Sequence, residues 1–208
     1  MAPDDQTQQL IDYFSNAALQ ELTNQFEDRG PAMHKLFMRQ FKIHYNNYEQ
    51  LMPTPLAKRH GINSLFVMAV DDVMCEVRSS FSELKDMVIS IYRAMLQDYF
   101  KREAEKLEAA SDPWNAFVEW VRQGNEANYN NEYFQVKEVE THEERFGFDI
   151  QRCFYFEILR ESGKPELGPI LCEYDSLLAE AVQNWIEFTR HETIARGDKR
   201  CTFRYCKK

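Results

Sequence analysis

Arg145-Phe146-Gly147-Phe148-Asp149-Ile150-Gln151-Arg152-Cys153 decides how the chain is read. Phe146, Phe148 and Ile150 fall on one side of an extended segment, and Asp149, Gln151 and Cys153 fall on the other, the period-two pattern of a half-buried strand. Residues 133–141 precede it as a second strand, and His142-Glu143-Glu144 supplies the turn between the two. Downstream, residues 154–161 and 165–181 read as helices separated by Ser162-Gly163-Lys164. Residues 185–194 and 201–206 close the chain as a second hairpin around Arg196-Gly197-Asp198-Lys199.

Upstream of these strands the pattern is helical. Leu10, Ile11, Phe14, Ala18, Leu22 and Phe26 recur at helical spacing over residues 4–28, and Arg29-Gly30-Pro31 supplies a stop and a new start. A second helix carries Met33, Leu36, Phe37, Phe41, His44 and Tyr48, and it ends before the two prolines of Met52-Pro53-Thr54-Pro55. Residues 62–110 hold the longest stripe, from Phe66 through Val77 and Ile91 to Tyr99. As one helix it would span about 70 Å at 1.5 Å per residue, so a break is expected at Arg78-Ser79-Ser80. Several bulky aromatics and the lack of a sustained charge code favour a central core helix pair over a coiled-coil seam. Ser111-Asp112-Pro113 caps a helix over residues 114–125, and residues 125–131 form a polar loop. The predicted class is α+β: an N-terminal helical half packed on a C-terminal antiparallel sheet of about four strands with two inserted helices. One domain over residues 1–208 is expected, with a helical part (1–127) and an α+β part (128–208).

Among the 208 residues, 25 basic and 34 acidic side chains give a net charge of −9, which repels nucleic acid and anionic membranes. No uncharged apolar run of about 18 to 20 residues exists, and the first nine residues are polar, so a soluble cytoplasmic protein is expected. Cys75, Cys153, Cys172, Cys201 and Cys206 form an odd set without a CxxC pair, which fits reduced thiols. His34, His44 and His60 have no second ligand four residues on and read as half-buried core histidines. Nucleophile-elbow, dinucleotide, phosphate-loop and HExxH patterns are all missing. A metal would need Cys153, Cys172, His191 and Cys201 gathered from four elements, so neither metal nor cofactor is expected. The expected partner is a small-molecule substrate, and the sequence leaves room for a homodimer.

Cys172 and Asp175 stand three residues apart and would share a helix face. A carboxylate that close raises a thiol's pKa, so Asp175 suits proton transfer or anchoring of a substrate amine better than activation. In a strand over residues 185–194, Arg190 lies on the face of Ile186, Phe188, Glu192 and Ile194, where its charge needs Glu157, Asp175 or a ligand carboxylate. His191 and Thr193 occupy the opposite face, and His191 serves as a base only if that face meets the thiol. Cys201 shares a face with Phe203 and Tyr205, as a buried structural cysteine also would.

The runs Arg152-Cys153-Phe154-Tyr155, Leu171-Cys172-Glu173-Tyr174-Asp175 and Arg190-His191-Glu192-Thr193 through Gly197-Asp198-Lys199-Arg200-Cys201-Thr202-Phe203 together resemble the L-2-amino-thiazoline-4-carboxylic acid hydrolase family over roughly the last 80 residues. The resemblance implies a hydrolase that adds water at the amidine carbon of a thiazoline and opens the ring, in an amino-acid or natural-product pathway. It implies Cys172 as nucleophile, with Cys153 and Cys201 as alternatives, Asp175 moving protons, and His191 or His142 as base. Arg190 would hold the substrate carboxylate, with Thr193, Cys153, Glu157 and Cys201 around it. An isomerase, cyclase or lyase on the same scaffold is the alternative. The same C-terminal spacing is similar to the vinyl-reductase-type ligand-binding domains, which implies a sensor; Arg190 and Thr193 stand at two of their zinc-ligand positions, which argues against the metal.

Overall fold

The computed structural model describes residues 5–208 and contains two compact units. The first comprises the described part of Met1–Leu96 together with Tyr155–Tyr174, and the second comprises Gln97–Phe154 with Asp175–Lys208.

The first unit is helical. Helix α1 (Asp5–Phe26) leads through a 3-10 turn, Glu27–Arg29, into α2 (Gly30–Tyr48). A Cβ at Gly30 would fall 2.4 Å from the Cα of Thr23, so only glycine allows α1 and α2 this close approach. Helix α3 (Pro55–Glu76) starts where the Thr54 hydroxyl accepts a bond from the Ala57 amide at 3.1 Å, with Pro55 in the first turn. It is apolar around its circumference: Leu65, Phe66, Val67, Met68, Ala69 and Val70 are all buried in succession, so α3 is the central element, with α1 and α2 packed on it. The long stripe does break where expected. Arg78 turns left-handed at φ 55°, and α4 (Phe81–Glu108) restarts with Ser80 and Glu83 bonding each other's amides reciprocally, at 2.7 and 3.3 Å.

After α6 (Phe154–Glu161), Lys164 places its ammonium 2.7 Å from both Asp71 and Asp72 of α3, and the other oxygen of Asp72 meets His44 of α2 at 2.7 Å. Residues 165–181 do not form the single helix expected. They divide into a 3-10 turn (Pro165–Leu167), α7 (Gly168–Leu171), a second 3-10 turn (Cys172–Tyr174) and α8 (Asp175–Val182). Pro169 is the physical reason for the first interruption, because its ring lacks a donor and collides with the carbonyl four residues back in any continuous helix.

In the second unit, α5 (Pro113–Asn128) is capped by Asp112, which accepts the Asn115 amide at 3.1 Å; it runs three residues into the stretch expected as loop. Strands β1 (Phe134–Thr141), β2 (Arg145–Cys153), β3 (Ile186–Thr189) and β4 (Cys201–Lys207) make an antiparallel sheet in the order β1-β2-β4-β3, which confirms the α+β class. One face carries Phe146, Phe148, Phe203 and Tyr205 against Trp114, Phe117, Val118 and Val121 of α5. Each fully buried ring of this kind contributes about 1.5–3 kcal/mol. On the other face Asp149 is buried all the same, held by Arg204 at 2.7 Å and Arg200 at 3.1 Å. The stem of Arg204 lies over Gly147, where a Cβ would come within 2.7 Å of it.

The expected strand over residues 185–194 is shorter than its alternation suggests. It stops at Thr189, and Arg190 sits beyond its end rather than inside it.

Candidate active site

Asp175 opens α8, and Arg190 follows β3. The Arg190 guanidinium donates through Nη1 to a carboxylate oxygen of Asp175, and its carbon lies 5.6 Å from the centroid of Phe203. Phe203 in turn stacks on Phe148 at 4.7 Å and packs beside Phe188. The pair is therefore walled by aromatic rings, with side-chain exposures of 16% and 18%, so its charges interact more strongly than they would in open water. Of the three partners anticipated for Arg190, Asp175 is one that it meets.

Two neighbouring groups stay neutral for physical reasons. Burial pushes the Tyr205 hydroxyl well up, and the negative charge of Asp175 adds to that. Burial likewise pushes the Cys201 thiol up, against an opposing hydrogen bond from the Ile194 amide at 3.3 Å. A buried thiol held protonated is a weak nucleophile.

The loop after β3 is shaped by side chains. Thr202 Oγ1 accepts the amides of His191 and Glu192 at 3.2 and 3.1 Å, Asp198 accepts that of Thr193 at 2.8 Å, and Cys201 Sγ accepts that of Ile194. Four consecutive amides are thus withdrawn from the sheet ladder, which is why the strand ends where it does. Gly197, at φ 95°, provides the left-handed turn that returns the chain to β4. Arg200 bridges Glu192 at 2.8 Å to Asp149 and so ties the loop to the sheet. Asp198 and Thr202 were missed as site-shaping residues by strand reasoning. The Gly-Asp turn was the available signal for the first.

The other candidates are placed as follows. Thr193 is buried, and its hydroxyl has no hydrogen-bond partner among the described residues. The side chains of His191 and His142 are exposed. Cys153 is half-buried at the end of β2. Cys172 and Glu157 are both half-buried and belong to the first unit. Cys172 does not share a helix with Asp175: it opens the 3-10 turn that precedes α8. That turn is anchored on α4 by Glu173, 3.2 Å from Lys85, and by Tyr174, stacked on Tyr92 at 5.4 Å. Among the described residues no group of three His, Cys, Asp or Glu side chains converges as a metal site would require.

The second unit also has an open cleft of about 380 Å³ beside α5, over Val136, Phe146 and Phe148. Arg122 spans it with two bonds to Glu138, at 2.9 and 2.8 Å.

An α+β chain with an arginine–aspartate pair among aromatic rings, and a cysteine in the turn before that aspartate, fits the class of proteins that act on small substrates. The chain is a member of the L-2-amino-thiazoline-4-carboxylic acid hydrolase family, whose model matches residues 62–205, from within α3 to within β4. The family is named for a hydrolase acting on a small cyclic substrate. No curated protein matches the chain. No helix among the described residues is long and apolar enough to cross a membrane.

Proposed function

We propose that the protein hydrolyses a small cyclic amidine, imine or lactam bearing a carboxylate, through a covalent intermediate on Cys172. The observation that carries this reading is the Asp175–Arg190 pair against Phe203, in a family named for a thiazoline carboxylate. A guanidinium recognises a carboxylate by planar paired hydrogen bonds, so a substrate carboxylate competes with Asp175 for Arg190. Once Arg190 is shared, Asp175 loses cationic support and faces a like charge, and both changes raise its proton affinity. Asp175 then becomes a proton donor.

For a thiazoline the steps balance with one water. The Cys172 sulfur bonds to the amidine carbon and gives its proton to a base. The ring bond from that carbon to the heteroatom breaks, and Asp175 protonates the departing atom. Water then bonds to the carbon, one of its protons going to the amidine nitrogen and the other back to Asp175, while the enzyme sulfur leaves and recovers its own proton. The Thr193 hydroxyl, buried without a partner among the described residues, suits a hydrogen bond to substrate. Cys201 suits the nucleophile's part poorly because burial keeps it protonated.

Turnover of L-2-amino-thiazoline-4-carboxylate, followed as carbamoyl-cysteine, tests the proposal. Cys172→Ser is expected to lose at least about 10³-fold in kcat with an unchanged circular-dichroism spectrum. Normal turnover by Cys172→Ser removes Cys172 from the chemistry.

A further inference from the structure

His191 and His142, the bases that the family resemblance implies, are both exposed. The first unit contains a different histidine in a different setting. His60 is buried on α3, with Asn63 and Ser64 one turn on. His60 Nδ1 is 3.4 Å from the hydroxyl of Tyr155, and Ser64 Oγ donates to the Tyr155 carbonyl at 2.9 Å. Asn63 Oδ1 accepts from the Tyr92 hydroxyl at 3.2 Å, and Tyr92 stacks on Tyr174, two residues past Cys172. Helix α7, whose C-cap is Cys172, packs against α3.

This polar strip is built, not incidental. A Cβ at Gly61 would lie 2.1 Å from the Met52 sulfur and 2.9 Å from Ile158 of α6, so the missing side chain makes room for both Met52 and α6, which carries Tyr155. Buried imidazole, amide and hydroxyl groups are costly wherever a bond goes unmade, and a helix needed only for packing is better filled with hydrocarbon. The strip joins Tyr155 and Tyr174, which lie in the two runs Arg152-Cys153-Phe154-Tyr155 and Leu171-Cys172-Glu173-Tyr174-Asp175. The charged groups on this end of α3 are Lys58, paired with Glu49 at 2.9 Å, and Arg59, which donates to Gln6 of α1 at 3.0 Å, while α6 carries Glu157 two residues past Tyr155.

We propose that His60, oriented by the Tyr155 hydroxyl, is the proton acceptor for the thiol chemistry at Cys172. The inference rests on the reading of Cys172 as nucleophile. As the carbon–sulfur bond forms, the S–H proton passes to the imidazole; as that bond breaks during hydrolysis, the imidazolium returns the same proton to sulfur. The ring is held by a neighbour and shielded from bulk water, as a general base requires.

The experiment follows kcat/KM for L-2-amino-thiazoline-4-carboxylate against pH, together with the rate at which iodoacetamide labels Cys172, read by peptide mass spectrometry. His60→Gln is expected to lower kcat about 10²-fold, to slow labelling of Cys172 at neutral pH, and to remove the ascending limb of the pH profile near the histidine range. Tyr155→Phe, a milder change, is expected to keep that limb and displace it. If Cys172→Ser is inactive while His60→Gln retains the wild-type rate and pH profile, this inference is overturned and the nucleophile stands. If Cys172→Ser turns over normally, the underlying reading falls first. Should His60→Gln fail to fold, the Tyr155→Phe profile decides, and an undisplaced limb overturns the proposal.

Discussion

Asp149 and Asp175 each meet arginine in the same unit, yet they are committed to different degrees. Asp149, 1% exposed, is gripped by two guanidinia from one face of the sheet, and Arg204 additionally donates to the carbonyls of Phe148 and Phe203 at 2.9 Å. Every partner of that carboxylate is part of the sheet or of the loop tied to it. Asp175 stands instead at the start of a short helix and meets an arginine beyond a strand end, over an aromatic face and beside a neutral thiol. The first arrangement closes on itself, and the second joins an arginine to an aspartate where one element ends and another begins. Burial of a charge alone does not mark a site; what distinguishes the two is whether the surroundings consist only of backbone and sheet.

The sharpest way to break this comparison is by stability. Asp149→Ala leaves two arginines facing a buried gap and is expected to cost about 3–5 kcal/mol in a urea titration. Asp175→Asn is expected to cost about 1–2 kcal/mol while lowering kcat by about 10²–10⁴-fold. Equal destabilisation by the two variants, with activity retained in the second, would make both pairs structural.

The Lys164 clip of the first unit extends the comparison to pH. Burial alone would push the Asp72 carboxyl up, but hydrogen bonds from His44 and Lys164 and the Lys164 charge more than offset it, and the carboxyl ends below its usual range. Lys164 ends above its usual range for the converse reason: the bonds to Asp71 and Asp72 overcome its burial. A depressed carboxylate gives stability that is present above its unfolded value, about pH 4, and is lost as pH falls through the folded value. A raised ammonium gives stability present below about pH 10 and lost as pH rises through its own folded value. The stability gap between wild type and Asp72→Asn, measured by urea midpoint, is therefore expected to be level near neutrality and to shrink in acid. The smallest effect belongs to the half-exposed Arg122–Glu138 pair, where Glu138→Gln is expected to change stability by less than about 1 kcal/mol and to leave turnover unaltered.

Much of this architecture is legible in the sequence because local chemistry and tertiary packing agree. The break at Arg78-Ser79-Ser80, the Asp112-Pro113 start and the Phe146-Phe148 alternation each appear in the structure as they read in the chain. Pro169 was an equally local signal against a continuous helix over 165–181, but the apolar spacing of Ile170, Leu171, Tyr174 and Leu178 outweighed it. The end of β3 was not legible by alternation, since the acceptors that take its next amides come from Asp198, Cys201 and Thr202 after a turn. Asp149 shows the same limit: strand period assigns it the polar face and says nothing of two arginines folding over it. His60 read as an ordinary core histidine because its partner Tyr155 lies 95 residues away in the chain.

The lacing of residues 191–194 by Thr202, Asp198 and Cys201 carries one more implication. The stretch owes its shape to hydrogen bonds closed within a dozen adjoining residues, ending at the first two of β4, so it behaves as a portable cassette. Its amides should resist deuterium as a ladder's do, and the direction of the guanidinium at its head should survive changes elsewhere in the sheet that would misalign any ordinary edge.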